Sequence, residues 1–142
     1  MNQHRQQSTL HHYSLFLAWA VACVAMLGSL YFSEIAGFIP CELCWYQRIF
    51  MYPLVILLGI ANFKRDHAIA VYSLPLSFVG GAISLLHYLI QKVDAFSQVS
   101  PCSDGVPCSG EYINWLGFIT IPLLALIAFT MISTLLWVGR QR

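Results

Sequence analysis

Four apolar stretches of bilayer length constrain this chain more than any other feature. They run approximately over residues 15–32, 45–63, 69–90 and 113–138. A helix that rises about 1.5 Å per residue needs roughly 20 residues to cross an apolar layer about 30 Å thick. Only helices and closed barrels satisfy their backbone there, and none of these stretches alternates as a barrel strand does. The sequence therefore predicts an all-α integral membrane four-helix bundle, formed by residues 1–142 as a single four-span domain.

Composition supports a membrane protein and argues against a nucleic-acid-binding one. Of the 142 residues, 58% are hydrophobic and only 9% are charged, whereas soluble domains carry about 25% charged residues. The net charge of +1 and the lack of a basic, aromatic-interleaved patch exclude an electrostatic case for nucleic acid. No glycine-rich phosphate loop or Cys-x-x-Cys-His motif is present, so nucleotide, flavin and haem signatures are missing as well.

The distribution of basic residues predicts the orientation. With four spans, both termini share a side with the 62–68 connection. That side carries five basic residues, namely Arg5, Lys64, Arg65, Arg140 and Arg142, while the loops of the other side carry only Lys92. The excess marks the cytoplasmic side. We expect a multi-pass protein of the cell membrane with both termini cytoplasmic, a frayed tail over its first dozen residues and two extracytoplasmic loops.

Each of the two outer loops carries a pair of cysteines. Cys41 and Cys44 follow Pro40 at the start of the second span, and Cys102 and Cys108 lie in the long loop 91–112. Free N–H groups and the dipole of a helix amino terminus stabilise a thiolate. Disulfides persist outside the cytoplasm. The four thiols are therefore candidates for a redox relay, in which the loop pair receives electrons and passes them to Cys41 and Cys44.

Three polar residues within the spans are candidates for binding the electron acceptor. Arg48 lies one helical turn after Cys44 on the same face, where its charge would favour the Cys44 thiolate or bind a developing anion. An arginine in a span is costly unless it is functional, paired or reaching the interface. Gln47 and His87 are further candidates, although a hydrogen-bonded structural role is open for His87. A site of this kind within a membrane points to a lipid-soluble quinone.

Two other interpretations of the cysteines remain open. Four cysteines could form a tetrahedral zinc site, and the Cys41/Cys44 spacing suits one. The other pair has five intervening residues rather than two to four, so we expect no metal. Alternatively, two structural disulfides could staple the loops of a non-catalytic membrane scaffold.

The stretch from Phe38 to Ile49, FIPCELCWYQRI, resembles the DsbB family of membrane thiol:quinone oxidoreductases, and the loop from Pro101 to Gly110, PCSDGVPCSG, is similar to that of its compact BdbC branch. The resemblance implies that Cys44 faces a quinone, menaquinone or ubiquinone, and that Arg48 helps to bind it. It also implies that Cys41 exchanges with the loop pair. Cys102 would form a mixed disulfide with an extracytoplasmic thioredoxin-like thiol oxidase of the DsbA or BdbD kind.

By the same resemblance, Cys108 would pass the electrons on. The five-residue spacing of the loop pair departs from the longer loop of the best-known family members. It leaves open whether Cys102 or Cys108 meets the partner. A related alternative is a reductase that resembles vitamin K epoxide reductase, which also carries a Cys-x-x-Cys on a helix. The paired outer loops and the position of Arg48 favour the DsbB-like activity.

Overall fold

The computed structural model describes residues 2–102, 105, 107–110 and 116–140, and almost all of these lie in helices. Helix α1 (Asn2–Leu30) continues through a π-helical turn (Tyr31–Ile35). It is followed by α2 (Glu42–Lys64), α3 (His67–Lys92), the short α4 (Asp94–Ser97) and α5 (Ile121–Arg140). Four helices are long and apolar enough to cross a membrane: Thr9–Ile35, Glu42–Lys64, His67–Lys92 and Ile121–Arg140. The predicted all-α, four-span architecture is confirmed, whereas the side on which the termini lie stays a prediction.

The four long helices form a ring in which each packs against two neighbours. Helix α1 contacts α2 and α5, and α3 contacts the same two helices from the other side. The diagonal pair α2 and α5 barely touch. Short connections make sequential helices antiparallel neighbours. At the tightest connection Arg65 adopts a left-handed conformation, and the Asp66 carboxylate accepts a hydrogen bond from the Ala68 N–H at 2.9 Å, which caps α3.

Two helices differ in extent from the predicted apolar stretches. Helix α1 begins at Asn2, so the polar first residues extend the helix instead of forming a frayed tail. Helix α5 begins at Ile121, after turns over 116–120 in which Leu116 and Gly117 have positive φ angles of 56° and 81°. Residues 113–115 of the predicted span lie outside the described residues. Pro122 then occupies the first turn of α5, where a missing N–H breaks no helical hydrogen bond.

Small and polar residues bring α3 and α5 close together. The Ser77 hydroxyl lies 3.1 Å from the Phe129 carbonyl oxygen and 2.8 Å from the Ser133 hydroxyl. At Gly80, a Cβ atom would collide with the ring of Phe129, which is fully buried. Small residues permit such approaches between membrane helices, and hydroxyls join the helices by hydrogen bonds.

Four buried residues, Cys41, Leu43, Ile90 and Cys108, form a small core of their own at one end of the bundle. We call this the cysteine end, where α2 and α5 begin and α3 ends. The larger apolar core lies between the helices toward the opposite end, which carries Arg65 and Asp66. The loop cysteines are thereby packed against the start of α2.

Candidate active site

The first cysteine pair occupies the amino terminus of α2. Cys41 is the N-cap residue, with extended backbone angles (φ −77°, ψ 174°), and its carbonyl accepts the first helical hydrogen bond from the Trp45 N–H at 3.1 Å. The Sγ atoms of Cys41 and Cys44 lie 3.3 Å apart as free thiols. Cys41 is buried, with 6% of its surface exposed, while Cys44 is half-buried. The sequence prediction that this pair adjoins a helix start is therefore met by the geometry.

The loop pair is joined as a disulfide and lies directly on Cys41. Cys102 and Cys108 are bonded to each other, with their Cα atoms 5.9 Å apart. The three Sγ atoms of Cys41, Cys102 and Cys108 all lie within 4.8 Å of one another. Cys108 is buried, with 1% exposed, whereas Cys102 is half-buried. The short loop therefore brings its disulfide within reach of the α2 thiol, and the more accessible of its two sulfurs is that of Cys102.

His87 connects the two pairs. The Gln47 side-chain amide donates to His87 Nδ1 at 3.0 Å, so the ring proton lies on Nε2. From there it can be donated to the Cys108 carbonyl oxygen at 3.2 Å or to Cys41 Sγ at 3.6 Å. Both His87 and Gln47 are buried. The structure thus brings the predicted residues His87 and Gln47 together at Cys41.

These contacts make Cys41 a stabilised thiolate. The hydrogen bond with Cys44 lowers the pKa of Cys41 to about 4, helped by the hydrogen bond with His87 and opposed by burial, which acts to raise it. A thiol normally has a pKa near 8.5. At neutral pH Cys41 therefore carries the negative charge, and a low pKa makes a thiolate a good leaving group in disulfide exchange.

Arg48 is held by a residue that the sequence did not single out. Its Nε donates to the Ser29 hydroxyl at 2.9 Å and its terminal nitrogen donates to the Ser29 carbonyl oxygen at 3.0 Å. The guanidinium group also lies over the Trp45 ring, 5.2 Å from its centroid. Ser29 comes from α1, so this contact could not be read from local spacing. Its only sequence signal is a Gly28-Ser29 break in an otherwise apolar span.

An apolar cavity of about 570 Å³ lies beside the first cysteine pair. It fills the space that the diagonal helices α2 and α5 leave between them, with α1 as a third wall. Of the predicted site residues, Cys41, Cys44, Gln47, Arg48 and His87 all line it, and Cys102 and Cys108 do not. The cavity volume is typical of small-molecule sites, and its apolar wall with a few polar groups at one end suits a lipid-soluble ring compound.

The same end of the bundle contains a possible ligand set for a metal. Cys41, Cys44 and His87 each offer one atom, all within 4.8 Å of one another. Two thiolates and an imidazole are ligands that zinc accepts. A second group, formed by Cys41 with Cys102 and Cys108, is less suitable because disulfide sulfurs are not thiolates. The zinc interpretation therefore has a geometric basis, and the expectation of no metal stays a prediction.

Comparisons with known proteins agree with one another. The family model described as "Disulfide bond formation protein DsbB" matches residues 11–139. "Disulfide bond formation protein C" of Bacillus subtilis is 65% identical over 118 residues, covering 83% of this chain and 86% of the relative. "Probable disulfide formation protein C 1" of Bacillus anthracis is 62% identical over 121 residues, covering 85% and 87%. "Probable disulfide formation protein" of Oceanobacillus iheyensis is 48% identical over 122 residues, covering 85% and 84%. No solved structure matches the chain significantly.

Proposed function

We propose, because the chain belongs to the DsbB family of disulfide bond formation proteins, that it is a membrane thiol:quinone oxidoreductase. It reoxidises an extracytoplasmic thioredoxin-like thiol oxidase and so supports disulfide formation in exported proteins. One observation carries the proposal: Cys41 lies within exchange distance of the Cys102–Cys108 disulfide, while its neighbour Cys44 lines an apolar cavity beside Arg48.

The relay begins at the loop pair. A thiolate of the partner attacks Cys102, which is the more exposed loop sulfur, and Cys108 leaves as a thiolate. The second partner thiol then attacks the mixed disulfide, so that the partner leaves oxidised and Cys102 becomes free. This step moves two electrons from the partner to the loop pair.

The second exchange takes place between the loop and α2. The Cys108 thiolate attacks the Cys41–Cys44 disulfide at Cys41 and releases the Cys44 thiolate. Cys102 then attacks Cys108, re-forms the loop disulfide and displaces Cys41. The released Cys44 thiolate takes up a proton from water, and the resulting Cys44 thiol and His87 stabilise the Cys41 thiolate, so Cys41 is a good leaving group in this last step. His87 is a positioning residue, because its Nε2 atom lies close to both the Cys41 sulfur and the Cys108 carbonyl oxygen and so keeps the loop beside the start of α2.

The cavity is the proposed binding site for the acceptor. A bound quinone would accept the two electrons that the cysteine pairs deliver. Arg48, fixed by Ser29 and Trp45, presents a positive charge near Cys44 at the polar end of the cavity. The apolar residues of α1 and α5 exclude water from the rest of it. When Cys41 and Cys44 re-form their disulfide they release two electrons, the number that converts one quinone to quinol.

The test is coupled oxidation by the purified protein. We expect the protein to oxidise one reduced thioredoxin-like dithiol protein for each molecule of decylubiquinone or menadione that it consumes. The reaction is measured by the loss of quinone absorbance. Cys44→Ser should abolish turnover. Cys23→Ser is the matched control, because Cys23 is a free cysteine of α1 that does not line the cavity, and this variant should retain full activity.

The same preparation tests the two alternatives. One equivalent of bound zinc, lost in Cys44→Ser and accompanied by no dithiol oxidation, would support the zinc interpretation. Disulfides that resist mild reduction and do not respond to quinone would support a structural scaffold.

The order of the loop thiols has its own experiment. The probe is a partner protein with a single active-site cysteine that carries a thionitrobenzoate group in a mixed disulfide. The free Cys102 thiol of a Cys108→Ser variant should displace thionitrobenzoate and stay bonded to the partner, because no second partner thiol is present to break the new disulfide. Cys102→Ser should trap much less of the partner, because Cys108 is buried. The reverse pattern, seen on non-reducing gels and by mass spectrometry of the linked peptides, would exchange the roles of the two cysteines.

A further inference from the structure

We infer that the hydroxyl groups of Thr120 and Tyr52 bind the head group of the acceptor within the cavity. The inference rests on the proposed function and extends it to two residues outside the cysteine, arginine and histidine set. It assigns them the role of hydrogen-bonding partners for the oxygen atoms of a quinone.

The first observation is the position of the unpartnered polar atoms. Among the described residues, four buried side-chain oxygen atoms have no hydrogen-bond partner: those of Tyr52, Asn62, Gln91 and Thr120. Three of the four belong to residues that line the cavity, and only Asn62 does not. Buried polar groups are normally satisfied because an unmade hydrogen bond is costly. Three of these residues line one cavity, and from this we infer that a bound ligand, met by small side-chain rotations, supplies the missing partners.

Thr120 is the strongest of the three. It directly precedes α5, and its carbonyl accepts from the Leu124 N–H at 3.1 Å, so it occupies the N-cap position. The hydroxyl of an N-cap threonine ordinarily accepts from an N–H of the first turn. Within the described part of the chain this hydroxyl has no partner, although only 1% of Thr120 is exposed. The residue lines the cavity from the α5 wall.

Tyr52 continues the line of functional residues along α2. Cys44, Arg48 and Tyr52 are spaced four residues apart and all line the cavity. At about 1.5 Å per residue, Tyr52 lies roughly 6 Å deeper than Arg48. Tyr52 lines the cavity, while its hydroxyl oxygen is closed off from solvent and has no hydrogen-bond partner among the described residues. A turn of the side chain when a ligand binds would bring this hydroxyl to a ligand atom that lies further from Cys44 than Arg48 does.

The two hydroxyls suit a compound with oxygen atoms on opposite sides of a ring. Arg48 is available to the oxygen nearest the cysteine pair, while Thr120 approaches from the opposite helix and Tyr52 from the deeper side. A hydroxyl can donate to a quinone carbonyl and can also accept from a quinol hydroxyl, so the same residues can hold both redox forms. Gln91 lines the cavity as well, but its side-chain nitrogen holds the loop through the Gly110 carbonyl oxygen, which makes it a poor test position.

Two conservative variants test the inference, each with a matched control. Thr120→Val and Tyr52→Phe remove only a hydroxyl. Thr130→Val changes an exposed threonine of the same helix, and Tyr72→Phe changes a tyrosine of α3 that is 76% exposed. Neither control residue lines the cavity. We expect the KM for decylubiquinone or menadione to rise about five- to tenfold in each cavity variant. The controls should keep the parent KM, and exchange with the dithiol partner should be unchanged in all four.

Thermal unfolding separates a binding role from a structural one. Without quinone, the cavity variants should melt at the parent temperature or above it, because each removes an unsatisfied buried group. With saturating decylubiquinone, they should gain less stabilisation than the parent. A lower melting temperature without quinone, or an unchanged KM in both cavity variants, would overturn the inference. A parent protein that reduces neither quinone would instead overturn the proposed function, and the inference with it.

Discussion

At the scale of single residues, one helical turn separates two sulfurs with different surroundings. Cys41 caps α2 at the edge of the candidate span and contacts His87 and the loop disulfide, whereas Cys44 lies inside the helix and lines the cavity. The first therefore suits exchange with other thiols, and the second suits contact with a lipid-soluble acceptor. Two successive contacts, from Gln47 to His87 and from His87 to Cys41, maintain this difference between the two cysteines, because each side chain orients the next.

The Cys41 thiolate can be titrated directly. In a protein with serine at positions 23, 102 and 108, the ultraviolet thiolate absorbance should appear as the pH rises through about 4. Cys44→Ala removes the hydrogen bond that contributes most to the lowered pKa, so the transition should move to higher pH. A transition at the same pH in both proteins would show that Cys44 does not stabilise the Cys41 thiolate.

Arg48 should act on the acceptor and not on the protein partner. Removing a charged hydrogen bond costs about 1.5–3 kcal/mol, so Arg48→Ala should raise the quinone KM about tenfold or more and leave the KM for the dithiol partner unchanged. Ser29→Ala removes one of the two contacts that hold the guanidinium, and its effect should be smaller but in the same direction. Equal quinone kinetics in Arg48→Ala and the parent would reduce Arg48 to an anchor at the membrane interface.

At the scale of helices, apolar length predicts where spans exist better than where they end. The stretches 45–63 and 69–90 differ from α2 and α3 by only a few residues at each end. The predicted last span includes residues 116–120, which form turns before α5 begins at Ile121, because these turns are almost as apolar as the helix that follows. Hydropathy does not distinguish an apolar turn from an apolar helix, and only the positive φ angles of Leu116 and Gly117 do so.

The contact between α3 and α5 can be tested with two adjacent glycines. Gly80→Ala and Gly81→Ala gain the same helix propensity, so the difference in their unfolding free energies isolates packing. A Cβ atom at Gly80 collides with the Phe129 ring, whereas at Gly81 it makes an ordinary contact of 3.5 Å with Phe129 Cβ. Gly80→Ala should be less stable than Gly81→Ala by about 1–3 kcal/mol.

A compensating change completes this test. Phe129→Leu in the Gly80→Ala background should recover part of the loss, since it removes the ring that the new methyl group meets. Equal stabilities in denaturant titrations of the two alanine variants would show that α3 and α5 can separate at no cost.

At the scale of the whole molecule, the sequence predicts most of the residues that the structure brings together at the cysteine end, but not all of them. Polar or reactive side chains near the ends of spans are easy to recognise in the sequence, and these are the cysteines, Arg48, Gln47 and His87. Ser29, Tyr52 and Thr120 do not, because hydroxyl residues are common in membrane helices and their value here depends on which helices are neighbours. That Cys41 lies on the loop disulfide could not be predicted either, since it depends on how the loop folds back onto α2.

The proposed orientation can be checked in intact cells. In a protein without native cysteines, Val99→Cys lies near the cysteine end and Lys64→Cys near the opposite end, and both positions are exposed. A membrane-impermeant maleimide should label the first and not the second. The remaining basic residues of the opposite end keep the charge bias that sets the topology. Labelling of Lys64→Cys alone would invert the proposed orientation.

Gathering the thiols of both pairs, His87 and Arg48 at one end of the bundle has an energetic consequence. A charge that crosses the whole membrane gains or loses about 2.3 kcal/mol per 100 mV. In the proposed reaction, electrons and their accompanying protons arrive and depart on the same side, so turnover should be electrically silent. In proteoliposomes, a potassium diffusion potential of either sign should leave the rate of quinone reduction unchanged. The protein would then keep exported proteins oxidised at the same pace in energised and in de-energised cells.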